Sequence, residues 1–127
     1  MPWQYQPDPE KKHKKGWTEN HAGFVKVGNS QVGKCPHNMD TNTCEKLLNH
    51  GVEFYPLRWN HDYPKRIYNI FNKVVYRATP TNPGVSYHGF PEDAGDARDL
   101  PIRVRNKILE LAEQQECREE VEKWLKG

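Results

Sequence analysis

The chain has 127 residues and a mass of 14.9 kDa, room for one domain and too little for a two-domain enzyme. Leu, Ile, Val and Phe supply about 19% of it, a level that by itself admits disorder. A net charge of only +2 with four Trp and six Tyr excludes a chain with nothing to bury. Mean hydropathy is −1.04, no apolar run reaches the ~18 residues of a membrane span, and the amino terminus lacks the apolar core of a secretory signal. These features predict a cytoplasmic protein with no membrane contact. Cys35, Cys44 and Cys117 do not make the framework of a small secreted domain and read as reduced thiols.

Residues 1–16 hold three prolines, the run Lys11, Lys12, His13, Lys14, Lys15, and little that is apolar besides Trp3 and Tyr5; they predict a flexible basic arm. The arm's charge equals the net charge of the whole chain, so residues 17–127, read as a single α+β domain, are neutral overall. Charge within that domain is segregated. Arg58, Lys65, Arg66, Lys73 and Arg77 face only Asp62, whereas Glu92, Asp93, Asp96 and Asp99 face only Arg98.

In chain order, Phe24 to Val27 predicts a short strand ending at Gly28-Asn29, and Gly33-Lys34-Cys35-Pro36 a loop. A helix follows over about 41–50. Asp40 to Asn42 are candidate N-caps, Asn42 with Glu45 approximates a capping box, Cys44, Leu47 and Leu48 form one apolar face, and Gly51 stops it. Val52 to Tyr55 is a short strand candidate, and Pro56 and Pro64 bracket a loop carrying Trp59 and His61. A β-hairpin over 66–79 turns at Asn72-Lys73, where Asn tolerates positive φ. A second turn, Pro80 to Gly84, leads to a strand near 85–88. From about 101 to 126 the apolar period becomes helical, with Pro101 in a first turn capped by Asp99 or Leu100. One or two helices result, their outer face covered by balanced charges. The fold expected is α+β, a small antiparallel sheet packed against these helices.

Register carries the functional reading. Turning at Asn72-Lys73 puts Ile67, Asn69, Phe71, Val74, Tyr76 and Ala78 on one largely apolar face and Arg66, Tyr68, Ile70, Val75, Arg77 and Thr79 on the other. A four-residue loop, Thr81 to Gly84, then pairs Ala78 with Tyr87 and Arg77 with His88. Val85 and Tyr87 join the apolar face, and Ser86 and His88 join Arg66, Tyr68, Arg77 and Thr79 on a polar surface. An imidazole there can transfer a proton, guanidinium groups can bind phosphate, and hydroxyls can position it. These are the parts needed to cleave RNA by attack of its own 2′-hydroxyl, with no metal and no cofactor. His88, Arg77 and Tyr68 are the catalytic candidates. Arg66, Lys65, Thr79, Ser86 and Lys34 are the candidates for nucleic-acid contact, and aromatic residues interleaved with basic ones suit stacking of unpaired bases.

Other constellations are weaker. Cys35, His37, Cys44 and His50 could be aligned as a two-Cys, two-His zinc set, but there is no C-x2-C pair and Cys44 and His50 are poorly spaced. Residues 28–34 lack the Ser or Thr that must follow the Lys of a phosphate loop, leaving Lys34 as a simple point charge. Cys35, flanked by Lys34 and His37, carries no signature of a cysteine enzyme.

Val75-Tyr76-Arg77-Ala78-Thr79, the Pro-Gly turn and Ser86-Tyr87-His88-Gly89-Phe90-Pro91 together resemble the strand core of small bacterial polymorphic-toxin effector domains of the barnase/RelE-like class. The resemblance covers roughly residues 65–92. It implies an RNA-cleaving domain that uses a sheet histidine, matched by His88, and a basic strand residue, matched by Arg77, with a cognate inhibitor protein as a partner. In that class the helices commonly precede the sheet, whereas here two helical segments follow it. The start at Met1 suits a free-standing member of a bacterial or phage family.

Two readings therefore stand. One is a metal-independent ribonuclease-like effector domain; the other is a non-catalytic module that grips nucleic acid or an acidic protein through the same basic face. An ADP-ribosyltransferase is a third and weaker reading, suggested only by a strand Arg followed by Tyr-His-Gly, and 127 residues are few for a nicotinamide-dinucleotide cleft.

Overall fold

A computed structural model describes residues 3–7, 17–27, 30–92 and 100–126. The elements run β1 (Gln4–Tyr5), β2 (Gly23–Val27), β3 (Ser30–Lys34), α1 (Thr41–Asn49), β4 (Val52–Phe54), β5 (Arg66–Phe71), β6 (Val74–Asn82), β7 (Ser86–Pro91), α2 (Ile102–Gln114) and α3 (Arg118–Lys126). One sheet has the order β1-β7-β6-β5-β4, and β2 and β3 form a separate antiparallel pair. The mixed α+β architecture matches expectation.

The β5–β6 hairpin sits centrally, in the register set by its turn. Ile67 lies across from Ala78, Asn69 from Tyr76 and Phe71 from Val74, and both Asn72 (φ 49°) and Lys73 (φ 66°) take the left-handed backbone of a two-residue connection. Each face of this hairpin is covered. On the first, Ile67, Tyr76 and Ala78 pack with Tyr87 and with Cys44 and Leu48 of α1, in two adjoining clusters. On the second, Tyr68, Ile70 and Val75 pack with Val104, Ile108 and Ala112 of α2 and with Val121 and Leu125 of α3. The face expected to be a polar surface is thus largely interior. Ile70 and Val75 give the carboxy-terminal helices an apolar seat, and a residue period of two leaves Tyr68 no route to solvent.

Asn69, buried on the α1 side, is satisfied. Its Nδ2 donates to the Leu47 carbonyl at 2.9 Å and its Oδ1 accepts from the Ile70 amide at 2.7 Å, tying α1 to β5. Asp40 is the N-cap of α1, its carboxylate accepting from the Thr43 amide at 2.8 Å, in place of an Asn42–Glu45 box. Pro101 is itself the N-cap of α2 and makes no side-chain cap. Gly33-Lys34 lies in β3 rather than in a loop. A Cβ on Gly33 would meet the Pro91 carbonyl oxygen at 2.4 Å, so a glycine lets this hairpin close onto β7.

The β6–β7 register differs from expectation by two residues. His88 lies opposite Thr79 and Phe90 opposite Arg77, because β6 runs through Pro80 to Asn82 and an irregularity between Pro80 and Asn82 absorbs one residue. A two-residue slip keeps every side chain on its face. The connection is shorter, however, and Val85 sits in the turn, 45% exposed, instead of joining the apolar face.

The flexible-arm expectation is corrected for residues 3–7; residues 8–16, with the lysine run, lie outside the described residues. β1 adds to the sheet edge parallel to β7, with Gln4 beside Ser86 and Tyr5 beside Tyr87. Asn49 of α1 clamps its other side, accepting from the Trp3 amide at 2.7 Å and donating to the Trp3 carbonyl at 3.0 Å. The Trp3 ring meets Tyr87 edge-on at 5.4 Å, and its Nε1 donates to Glu53 at 3.2 Å. A bare edge strand would invite foreign pairing, and side chains of α1 cover this one. Trp3→Ala is expected to lower stability by about 2 kcal/mol, less than a fully buried Trp because the ring is half-exposed, as read by urea denaturation.

Four phenols are held in or against these cores. Burial raises Tyr5, Tyr76 and Tyr87 well above their ordinary value of 10.0, and raises Tyr68 against the opposing hydrogen bond from Arg66. The folded state keeps these protons where the unfolded chain releases them, so the contribution is intact below about pH 10 and is lost as pH climbs through the raised values. Phenolate absorbance in an alkaline titration is expected to rise for these residues together with loss of ellipticity, not before it.

Candidate functional site at the Arg66–His88 end of the sheet

The start of β5, the end of β6 and the start of β7 meet at one end of the sheet and bring Arg66, Thr79 and His88 to the α2–α3 side. Arg66 follows Phe54 across the β4–β5 pair, and Thr79 pairs with His88 across β6–β7. These side chains are half-buried, whereas Tyr68, one step further in, is wholly covered.

His88 is held at both ring nitrogens. Thr81 Oγ1 lies 2.7 Å from Nδ1, and Thr79 Oγ1 lies 3.3 Å from Nε2. The Thr81 hydroxyl donates its one proton to the Gln6 carbonyl at 2.7 Å, so it accepts from Nδ1–H. That logic leaves Nε2 as the nitrogen that exchanges a proton. The Thr79 hydroxyl donates to a neutral ring and accepts from a charged one, so both states keep their partner. The Phe90 ring lies 6.1 Å from the imidazole.

The other expected site residues divide. The Arg66 guanidinium donates to the Tyr68 hydroxyl at 3.3 Å, joining two of them. Tyr68 itself is 0% exposed and lies beneath Trp124 of α3, so it cannot reach a substrate. Arg77 stacks over Phe90 at 5.0 Å and pairs with Glu92, Nε to carboxylate oxygen, at 2.9 Å. This pairing accounts for part of the charge segregation; Asp93 to Asp99 lie outside the described residues. Ser86 is buried, donating to Gln6 Oε1 at 2.7 Å and accepting from the Asn82 amide at 3.2 Å. Its role is to fasten β1. Lys65 is exposed, over the Trp59 ring at 5.9 Å. Lys34 is buried at the end of β3, paired with Gly23.

Cys35 and Cys44 are buried together beside Tyr76, and the Cys35 thiol donates to the Gly89 carbonyl at 3.3 Å; His37 and His50 are exposed. Among the described residues no three His, Cys, Asp or Glu gather as metal ligands. Sequence reasoning missed Thr81, Gln6 and Glu92. Thr81 and Glu92 flank the assigned strand ends and would have entered with a longer β6 and β7. Nothing local marks Gln6, which is far from His88 in the chain.

Arg77→Ala is expected to destabilise the fold by about 3 kcal/mol, since it removes the guanidinium paired with the buried Glu92 carboxylate, whereas the double variant Arg77→Met, Glu92→Leu recovers most of that loss in the same denaturation assay.

Comparison with protein-family models, with curated proteins and with solved structures returned no match for this chain.

Proposed function

We propose that the protein is a metal-independent ribonuclease-like domain of the bacterial effector type, with His88 moving the proton and Arg66 and Lys65 contacting phosphate. The observation that carries this reading is the hydrogen-bonded chain from Thr79 through His88 and Thr81 to Gln6, which orients the ring and leaves Nε2 as the exchanging nitrogen. In the reaction the RNA 2′-oxygen attacks the adjacent phosphorus and the bond from phosphorus to the 5′-oxygen breaks. The 2′-hydroxyl proton passes to His88 Nε2, the leaving oxygen takes a proton from water, and a 2′,3′-cyclic phosphate remains. Guanidinium and ammonium groups stabilise the charge that builds on the phosphoryl oxygens. Arg77 and Tyr68 are structural in this reading and leave the catalytic set.

A second reading, a non-catalytic nucleic-acid-binding module, draws support from the same two residues. Arg77 is paired with Glu92 and Tyr68 is buried, so neither of them is placed to complete an acid–base pair with His88. Cleavage of total RNA in EDTA separates the two. The ribonuclease reading expects His88→Ala to slow cleavage about 10²–10⁴-fold with affinity changed only a few-fold, and Arg66→Ala to weaken both. Folded wild-type protein that binds RNA and leaves it intact establishes the module instead.

A further inference from the structure

The connection between β4 and β5 carries chemistry that the His88 site does not use. Trp59 meets His61 at 4.5 Å and Tyr63 at 5.8 Å, both edge-on, and His61 stacks on Tyr63 with centroids 5.1 Å apart and planes inclined by 23°. Trp59 Nε1 donates to the Tyr63 carbonyl at 2.7 Å and its amide to the Pro56 carbonyl at 3.0 Å, so the loop's own backbone holds the rings. The cluster ends in His61, which is exposed, as are Arg58 and Lys65 on either side; Asp62 is the one acid among them.

Position ties this loop to the Arg66–His88 end of the sheet. A Cβ on Gly84, in the β6–β7 turn, would lie 3.6 Å from the Tyr63 ring, and the Tyr87 hydroxyl donates to the Pro64 carbonyl at 2.6 Å. The loop leads directly into Arg66, the residue before the Ile67–Ala78 pair of the central hairpin. Ring faces accept any unpaired base, and cations beside them neutralise the linking phosphates. A surface built only for an apolar protein partner has no need of His61, Arg58 and Lys65.

We infer that residues 58–65 form a base-stacking subsite for single-stranded RNA, in which one unpaired base stacks at His61 while Arg58 and Lys65 contact the flanking phosphates. This inference rests on RNA being the ligand, and not on its being cleaved.

The test is equilibrium binding of a 2′-O-methylated oligouridylate, which has no 2′-hydroxyl to attack, alongside cleavage of unmodified RNA. His61→Ala is expected to weaken binding roughly tenfold, His61→Phe to stay within about threefold of wild type, and a duplex of the same length to bind at least tenfold less tightly. Equal affinity of wild type and His61→Ala overturns the subsite. Leu57, one residue before Arg58, is 93% exposed; a Leu57→Asp variant that abolishes self-association in sedimentation while His61→Ala leaves RNA affinity intact also overturns the subsite, because the exposed loop is then a protein contact. Wild-type protein that binds the oligonucleotide in the expected pattern but cleaves nothing retains the subsite and removes only the ribonuclease reading. Cleavage with unaltered binding in His61→Ala does the reverse.

Discussion

A two-residue turn at Asn72-Lys73 governs the molecule, because it fixes which side chains of β5 and β6 look towards α1 and which towards α2 and α3. Both residues adopt positive φ, and the pairing that follows alternates strictly along the hairpin. With helices on each side, a slip of one residue would exchange the contents of two cores at once. Asn69 would then lose Leu47, and Ile70 would lose its seat under α2 and α3. Every later placement, including that of His88, is measured from this hairpin.

Burial on both faces forces the polar groups of the sheet to find partners inside the protein, and this requirement shapes the candidate site. Arg77 is half-buried, its charge met by the buried Glu92 carboxylate and its guanidinium laid over the Phe90 ring. The Trp124 indole in turn donates to the Glu92 carbonyl at 3.0 Å, so α3 is latched onto the same residue. Tyr68 spends its hydroxyl on Arg66. What remains within reach of solvent includes the row at the strand ends, where Arg66, Thr79 and His88 are half-buried and the hydroxyls of Thr79 and Thr81 meet the two ring nitrogens of His88.

The amino-terminal segment contributes to that row from outside the sheet's original strands. Gln6 accepts from Thr81 through its backbone and from Ser86 through its side chain, while its own amide donates to the Tyr87 carbonyl at 2.9 Å. The orientation of His88 therefore depends on residues 3–7 being docked. Strand β1 joins the imidazole's hydrogen-bond chain to α1 through Asn49, which links site geometry to the integrity of the first core.

Local chemistry in the sequence was sufficient for the helix spans, the central hairpin, its turn and the face occupied by each of its side chains, since period, capping residues and turn residues act over a few positions. The same alternation places His88 beside Thr79 on one face, even though the β6–β7 pairing lies two residues from the expected one. Tertiary structure decided the rest. Whether Arg77 is a working cation or the partner of a buried carboxylate depends on Glu92 arriving from beyond β7, and whether Tyr68 is accessible depends on where Trp124 lands. Trp3 and Tyr5 look like decoration on a proline-rich arm until Asn49 and Ser86, distant in the chain, provide a groove and an edge. Those contacts join segments with no common period, and their energy comes from surface that exists only after the sheet and helices have assembled, so no pattern along the chain records them.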